Sequence, residues 1–171
     1  MEPSEAVDAL SALALMSAFE GKIQEADRLV ARSLELADSS DLTYEEIRAD
    51  ILAAAGWCAL AQQRPDEAKE LFQKAVSLTA SMGYRLILPD LVSGLGVTAA
   101  ALGEYARAAQ LLAAGAAQRA AKSMVIVGRL PVALHAAAMD QIQGNLTPDA
   151  LRQAQEAGST CRDIVREGTS W

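Results

Sequence analysis

The chain predicts an all-α fold: a right-handed superhelical solenoid of antiparallel helix pairs with a helical cap at its C-terminal end. Three observations carry that prediction. The first is an internal echo, Gly21-Lys-Ile-Gln-Glu-Ala26, Gln63-Arg-Pro-Asp-Glu-Ala68 and Gly103-Glu-Tyr-Ala-Arg-Ala108, whose closing alanines are 42 and 40 residues apart. A fixed period of ~20–50 residues marks stacked repeats, each too small to bury its own apolar face. The second is composition: 51% of the 171 residues are apolar but only 4% are aromatic, and alanine, the best helix former, supplies the difference. The third is an absence of alternating β-branched runs between paired turns, so nothing reads as a sheet.

Aligning the units on their closing alanines brings further columns into register. Leu10, Leu52 and Val92 match, as do the small residues Ala14, Gly56 and Gly96 four positions later. In the second helices Val30, Phe72 and Leu112 match, followed by Ser33, Ala75 and Gly115. Small residues at helix crossings with large apolar ones between them are what a packed pair requires. These columns divide the chain into units at 5–41, 42–83 and 84–123, with capping helices over 124–171.

Local signals place each element in turn. In the first unit, helices flank the 21–26 turn. Thr43-Tyr-Glu-Glu46 forms a capping box that opens a long helix reaching about Gln62. Pro65 suits the first turn of the next helix, where its missing N–H costs nothing, and Met82-Gly83 ends that helix with the residue that best tolerates a left-handed cap. Pro89 lies in the first turn of the third unit's opening helix. After the third pair, Met124-Val-Ile-Val-Gly128 reads either as a brief strand or as a link packed over the last repeat. A helix from Pro131 to about Gln143 follows. Another is capped by Thr147 with Pro148 at its first position, and a last one spans about 160–167. Trp171 either folds back on this cap or marks the way to a further domain.

Charge and chemistry exclude several classes. The net charge is −7, concentrated in residues 1–50 with 12 acidic and 4 basic residues. Such a chain lacks the cationic surface that grips nucleic acid, and the acidic third reads as a solvated helix face. No apolar run reaches the ~18–20 residues of a membrane span. The opening Met-Glu-Pro-Ser-Glu is acidic where a secretion signal is basic, which points to the cytoplasm. Cys58 and Cys161 lack metal-ligand spacing, and Cys58, beside Trp57 in an apolar helix, reads as core. One histidine, His135, cannot build a nucleophilic triad with the residues around it. No cofactor, metal or enzymatic activity is expected.

The column of small residue, alanine, bulky apolar residue and alanine resembles the tetratricopeptide repeat, with a period longer than that repeat's usual ~34 residues. The stretch from Asp90-Leu-Val-Ser-Gly-Leu-Gly through Gly103-Glu-Tyr-Ala-Arg-Ala-Ala to Arg119 looks narrower still. It is similar to the helical-repeat segment of MalT-like regulators, the large ATPases of the LuxR class, and of cyclase-linked ATPases. Gln155-Glu-Ala-Gly158 stands where those families often carry Trp-Ala-Glu-Gly, and Gly115 lacks the glutamate that follows in theirs. No GxxxxGK[ST] phosphate loop occurs, and no basic helix-turn-helix, so those families' ATPase and DNA-binding modules are not in this chain. It is either a segment of a larger regulator or a stand-alone repeat protein.

The resemblance implies that the first helix of each pair lines a concave groove. Carried over residue by residue, the groove positions are Asp8, Ser11, Leu15 and Phe19, then Asp50, Ala53, Trp57 and Leu60, then Asp90, Ser93, Val97 and Ala101. The aspartates share one column, suited to an amine or to backbone N–H groups of a peptide; alternatively they only complement helix dipoles. Trp57 reads either as an aromatic anchor or as core.

Two functions follow. One is a sensor domain of a bacterial signal-transducing transcriptional regulator, receiving an inducer or a regulatory protein. The other is a stand-alone scaffold docking a peptide or helix of a partner. A closed pocket around Trp57 favours a small ligand, an open channel with the aspartates exposed favours a peptide, and a broad apolar patch favours self-association.

Overall fold

The computed structural model describes residues 3–39, 45–83, 86–161, 163 and 165. Among them run eight helices and no strand: α1 (Pro3–Phe19), α2 (Ile23–Ser39), α3 (Glu45–Ala61), α4 (Pro65–Met82), α5 (Leu88–Ala101), α6 (Tyr105–Ala121), α7 (Arg129–Asn145) and α8 (Pro148–Ser159). Thr43 of the expected capping box, half of the 160–167 segment and Trp171 lie outside the described residues. The first six helices form three pairs, each packed on the next, as a helical solenoid requires.

The repeated turn motif closes each pair in the same way. Lys22, Arg64 and Glu104 donate their backbone N–H to the carbonyls of Ser17, Ala59 and Ala99, five residues back, at 2.8–2.9 Å. Gly21, Gln63 and Gly103 donate three residues back and hold φ of 76°, 57° and 80°. This is the left-handed cap that satisfies orphan carbonyls at a helix end. Glycine is the natural occupant, and Gln63 is the unit that departs from it. A fourth copy ends α6, with Ser123 at φ 53° and Met124 N–H donating to the Arg119 carbonyl at 2.9 Å. The Gly83 cap expected from sequence is present, at φ 69°.

The columns of small residues are crossing points. A Cβ on Gly56 would lie 2.8 Å from the Phe72 ring, and one on Gly94 2.5 Å from the same ring. A Cβ on Gly96 would lie 2.8 Å from the Leu112 side chain, and one on Gly115 would collide with Ser93 Oγ. Aligned residues of facing helices therefore meet in space, large against absent side chain. Phe72 is fully buried and sets its ring edge-on to Trp57, centroids 5.2 Å apart at 76°. One apolar core runs from Ala14 through Phe72 and Leu95 to Ile142, with a satellite of Val7, Ala37 and Ile51 at the first pair's far end.

The end helices do two different things. α8 packs along α6, so closely that a Cβ on Gly158 would strike the Gln110 carbonyl. Thr147 caps it, its Oγ1 accepting from Ala150 N–H at 3.3 Å. Among the residues expected to cover the last pair, α8 lies along α6, and α7 touches both α5 and α6. α7, which begins at Arg129 with Pro131 inside its first turn, touches α1, α3 and α5 as well as α6 and α8. Residues 124–127 form an irregular link rather than a strand. Through Leu130, Pro131, Ala138 and Ile142, α7 buries its own apolar side while covering the face made by the first helices of the pairs.

Candidate functional site

The face shared by α1, α3 and α5 is where sequence placed a groove. The link and α7 lie over it, and three separate cavities remain there among the described residues. The central one, about 210 Å³, is lined from α1 by Ser11 and Leu15, from α3 by Asp50, Ala53 and Trp57, from α5 by Asp90 and Ser93, and roofed by Ile126, Val127 and Pro131. A second, about 290 Å³, lies at the end of α1 around Phe19 and Met16. There the Arg129 guanidinium sits 4.5 Å from the Phe19 ring centroid, a cation–π contact. The third, about 360 Å³, gathers Leu60, Val97 and Ala101 against Leu134 and Gln141 of α7.

Seven residues were singled out from sequence for this face: Asp8, Phe19, Asp50, Trp57, Asp90, Ser93 and Val97. Asp50, Trp57, Asp90 and Ser93 come together in the central cavity. Phe19 and Val97 fall to the neighbouring cavities, and Asp8 is exposed and lines none of the three. Trp57 belongs to the core, 6% exposed and packed on Phe72, and also forms part of the cavity wall.

The aspartate column has three different electrostatic fates. Asp90 lies in the first turn of α5, where the helix dipole favours a carboxylate; Asp8 and Asp50 lie beyond the first turns of α1 and α3, so the dipole does not account for them. Asp90 Oδ1 accepts from Arg119 Nη1 at 3.1 Å. The same nitrogen donates to Ser93 Oγ at 2.8 Å and to the Pro89 carbonyl at 3.1 Å. Burial pushes the Asp90 carboxyl up, and the guanidinium pulls it only part of the way back. Asp50 has no hydrogen bond or ion pair among the described residues. Burial, and then repulsion from Asp8 and Glu46, push its carboxyl up to about 6.

Arg119 was not singled out from sequence. It stands in one column with Ala37 and Thr79, and all three are buried in their second helices. The readable signal was the departure itself, a guanidinium where the other units carry alanine and threonine. His135 is half-buried, with its pKa lowered by burial and by nearby Arg119. Cys58 is a buried thiol whose pKa burial raises to about 12, far from a reactive thiolate. No group of His, Cys, Asp and Glu able to hold a metal occurs among the described residues, and no described helix is long and apolar enough to cross a membrane.

Paired helices in series, with glycine-lined crossings and a shared face, together define a helical-repeat domain. Residues 5–81 match the family model described as tetratricopeptide repeat. Over those residues the chain is similar to tetratricopeptide repeats, a kind of module that typically serves as a non-catalytic protein-interaction scaffold. The match spans the first two pairs and stops short of α5, so the third pair joins the series through its packing. No curated protein and no solved structure gave a match to the chain.

Proposed function

We propose that this chain is the ligand-sensing domain of a bacterial signal-transducing transcriptional regulator of the MalT-like, LuxR-class kind, working in the cytoplasm and without catalysis of its own. Units at 5–41, 42–83 and 84–123 form the receptor, and residues 124–171 close it. The observation that carries this reading is the covered face: with the link and α7 in place, what remains beside Trp57 is a pocket of about 210 Å³, not a channel. A small ligand in that pocket touches three pairs and the roof together. It therefore favours whichever arrangement of α7 fits it, and passes that preference to an attached module.

The second reading is a stand-alone scaffold for a peptide or helix of a partner, which the repeat match favours in its own right. It requires α7 to leave the face. Self-association would use the outer side of α1, where Leu13 and Met16 are 48% and 58% exposed.

Thermal unfolding against a panel of sugars, nucleotides, fatty acids and amines, followed by titration of the hits, separates the readings. A ligand bound only by the folded state raises Tm by an amount that grows with the logarithm of its concentration above Kd. A concentration-dependent shift that disappears in Ala53→Phe, which fills the pocket from α3, is the sensor's signature. No shift with any small molecule, together with peptide binding that exposes α7 to hydrogen exchange, moves the assignment to the scaffold.

A further inference from the structure

We propose that the central pocket takes a compact alkylammonium group, which stands at Asp50 where Arg119 stands at Asp90. This rests on the reading of that pocket as a ligand site and names the ligand's chemistry. In the third unit the column position facing the aspartate is Arg119, whose guanidinium meets Asp90 and Ser93. In the second unit the same column holds Thr79, whose hydroxyl is turned to the Ala75 carbonyl at 2.6 Å. Asp50 is therefore built into the same place as Asp90 without the cation that accompanies it.

The rest of the pocket's polar inventory is already engaged. Ser11 Oγ lies 3.3 Å from Ser33 Oγ, and Ser33 in turn donates to the Val7 carbonyl. Ser93 and Asp90 accept from Arg119, which also holds the Pro89 carbonyl. Asp50 alone has no partner among the described residues, and the charges acting on it, Asp8 and Glu46, are both negative. A half-buried carboxylate in that setting favours a cation, gains little from a neutral guest and repels an anion.

The walls decide which cation. Leu15, Trp57, Ile126, Val127 and Pro131 are apolar, and Asp50 is the one charged lining group without a cation among the described residues. A guanidinium would bring five N–H groups to that single acceptor and leave most unpaired, whereas an ammonium brings three at most and fewer when alkylated. Trp57 adds an aromatic wall suited to a cation with an apolar body. The volume is below the ~300 Å³ where drug-sized ligands begin, so the guest is of benzylamine size. Its source is either a free amine or a lysine side chain of a partner.

The test is calorimetric titration of the whole chain with benzylamine, benzyl alcohol, benzoate, benzylguanidine, and a lysine-containing peptide beside its alanine counterpart. The expected result is saturable binding of benzylamine or of the lysine peptide. Affinity should fall at least tenfold in Asp50→Asn, with the alcohol, the acid and the guanidine each at least tenfold weaker than the amine. Benzylamine without the peptide identifies a free amine, and the peptide without benzylamine a partner's lysine. Binding of the alcohol or the acid as tight as the amine, or amine binding unchanged in Asp50→Asn, overturns the ammonium assignment. If such binding is lost in Ala53→Phe, the pocket still stands as a ligand site. No binding by any of these probes overturns the ammonium assignment too. A broad ligand panel that also leaves Ala53→Phe and the parent chain alike removes the pocket reading with it.

Discussion

The first and third pairs are built on the same columns, yet they behave as opposite ends of one scale. α5 is buried almost throughout, from Leu88 to Ala100, because α4, α6 and α7 surround it. α1 is equally apolar in sequence but keeps Leu13, Met16 and Phe19 exposed, because it has neighbours on fewer sides. The same contrast governs charge. Asp90 is fastened to a buried arginine, Asp50 is half-buried and alone, and Asp8 stands in water. A repeated sequence position does not have a repeated energy; its place in the stack sets whether it stabilises, costs or is neutral.

The largest expected break in the comparison comes from the centre. Phe72→Ala removes the ring that fills the space left by Gly56 and Gly94, and costs about 3–5 kcal/mol. Leu13→Ala on α1 costs less than about 1 kcal/mol, since that side chain is already half in water. Urea unfolding of the two variants measures the difference directly. Comparable losses in both would mean that α1 is covered in solution.

Arg119→Ala comes next. It leaves the Asp90 carboxylate and the Pro89 carbonyl without their donor, a loss of about 3 kcal/mol. Arg32→Ala, which breaks an exposed pair with Glu35, changes stability by less than about 0.5 kcal/mol. Thermal melts side by side test this contrast, with roughly 2–4 °C per kcal/mol expected for a chain of this size.

Asp50 sharpens the comparison through pH. Its carboxyl binds a proton more tightly folded than unfolded, so the stability it contributes is full below pH ~4 and is lost as pH rises through about 6. Asp50→Asn should therefore raise stability at pH 7.5, by about 1 kcal/mol after discounting for its solvent contact, and change little at pH 3.5. Asp8→Asn should move the Asp50 titration, followed by NMR, to lower pH, because one of the two repelling charges has gone. An Asp50 midpoint unchanged by that substitution would leave the shift to burial and Glu46.

The smallest effect belongs to the turns. Gln63 holds the left-handed backbone that Gly21 and Gly103 hold without strain, so Gln63→Gly should stabilise the second turn by about 0.5–1 kcal/mol, less the entropy that glycine adds to the unfolded chain. A decrease in Tm shared by Gln63→Ala would show that the Gln63 side chain makes a compensating contact at the mouth of the Val97 cavity; one confined to Gln63→Gly would be the entropy of glycine.

Much of this was legible before any coordinates. Gly56 against Phe72 and Gly96 against Leu112 follow from columns alone, since packing between facing helices repeats with the period. Four of the seven residues chosen for the groove meet in one pocket, because groove positions recur at fixed register along α3 and α5. Arg119 escaped notice because it lies on a second helix, and its partner was visible only across the pair. Phe19 and Val97 were assigned to one groove that α7 divides into three cavities.

The sequence by itself determined the helices, their pairing and the crossing points, because these rest on local propensity and on size complementarity that recurs every 40 or so residues. Only the tertiary structure decided that α8 extends the stack while α7 turns back over α1, α3 and α5. It alone decided that Asp90 has a cation and that Asp50 has none among the described residues. Both outcomes depend on where a non-repeating segment finds apolar surface to bury and which side chain faces which across a gap. Neither has a period that a linear reading can detect.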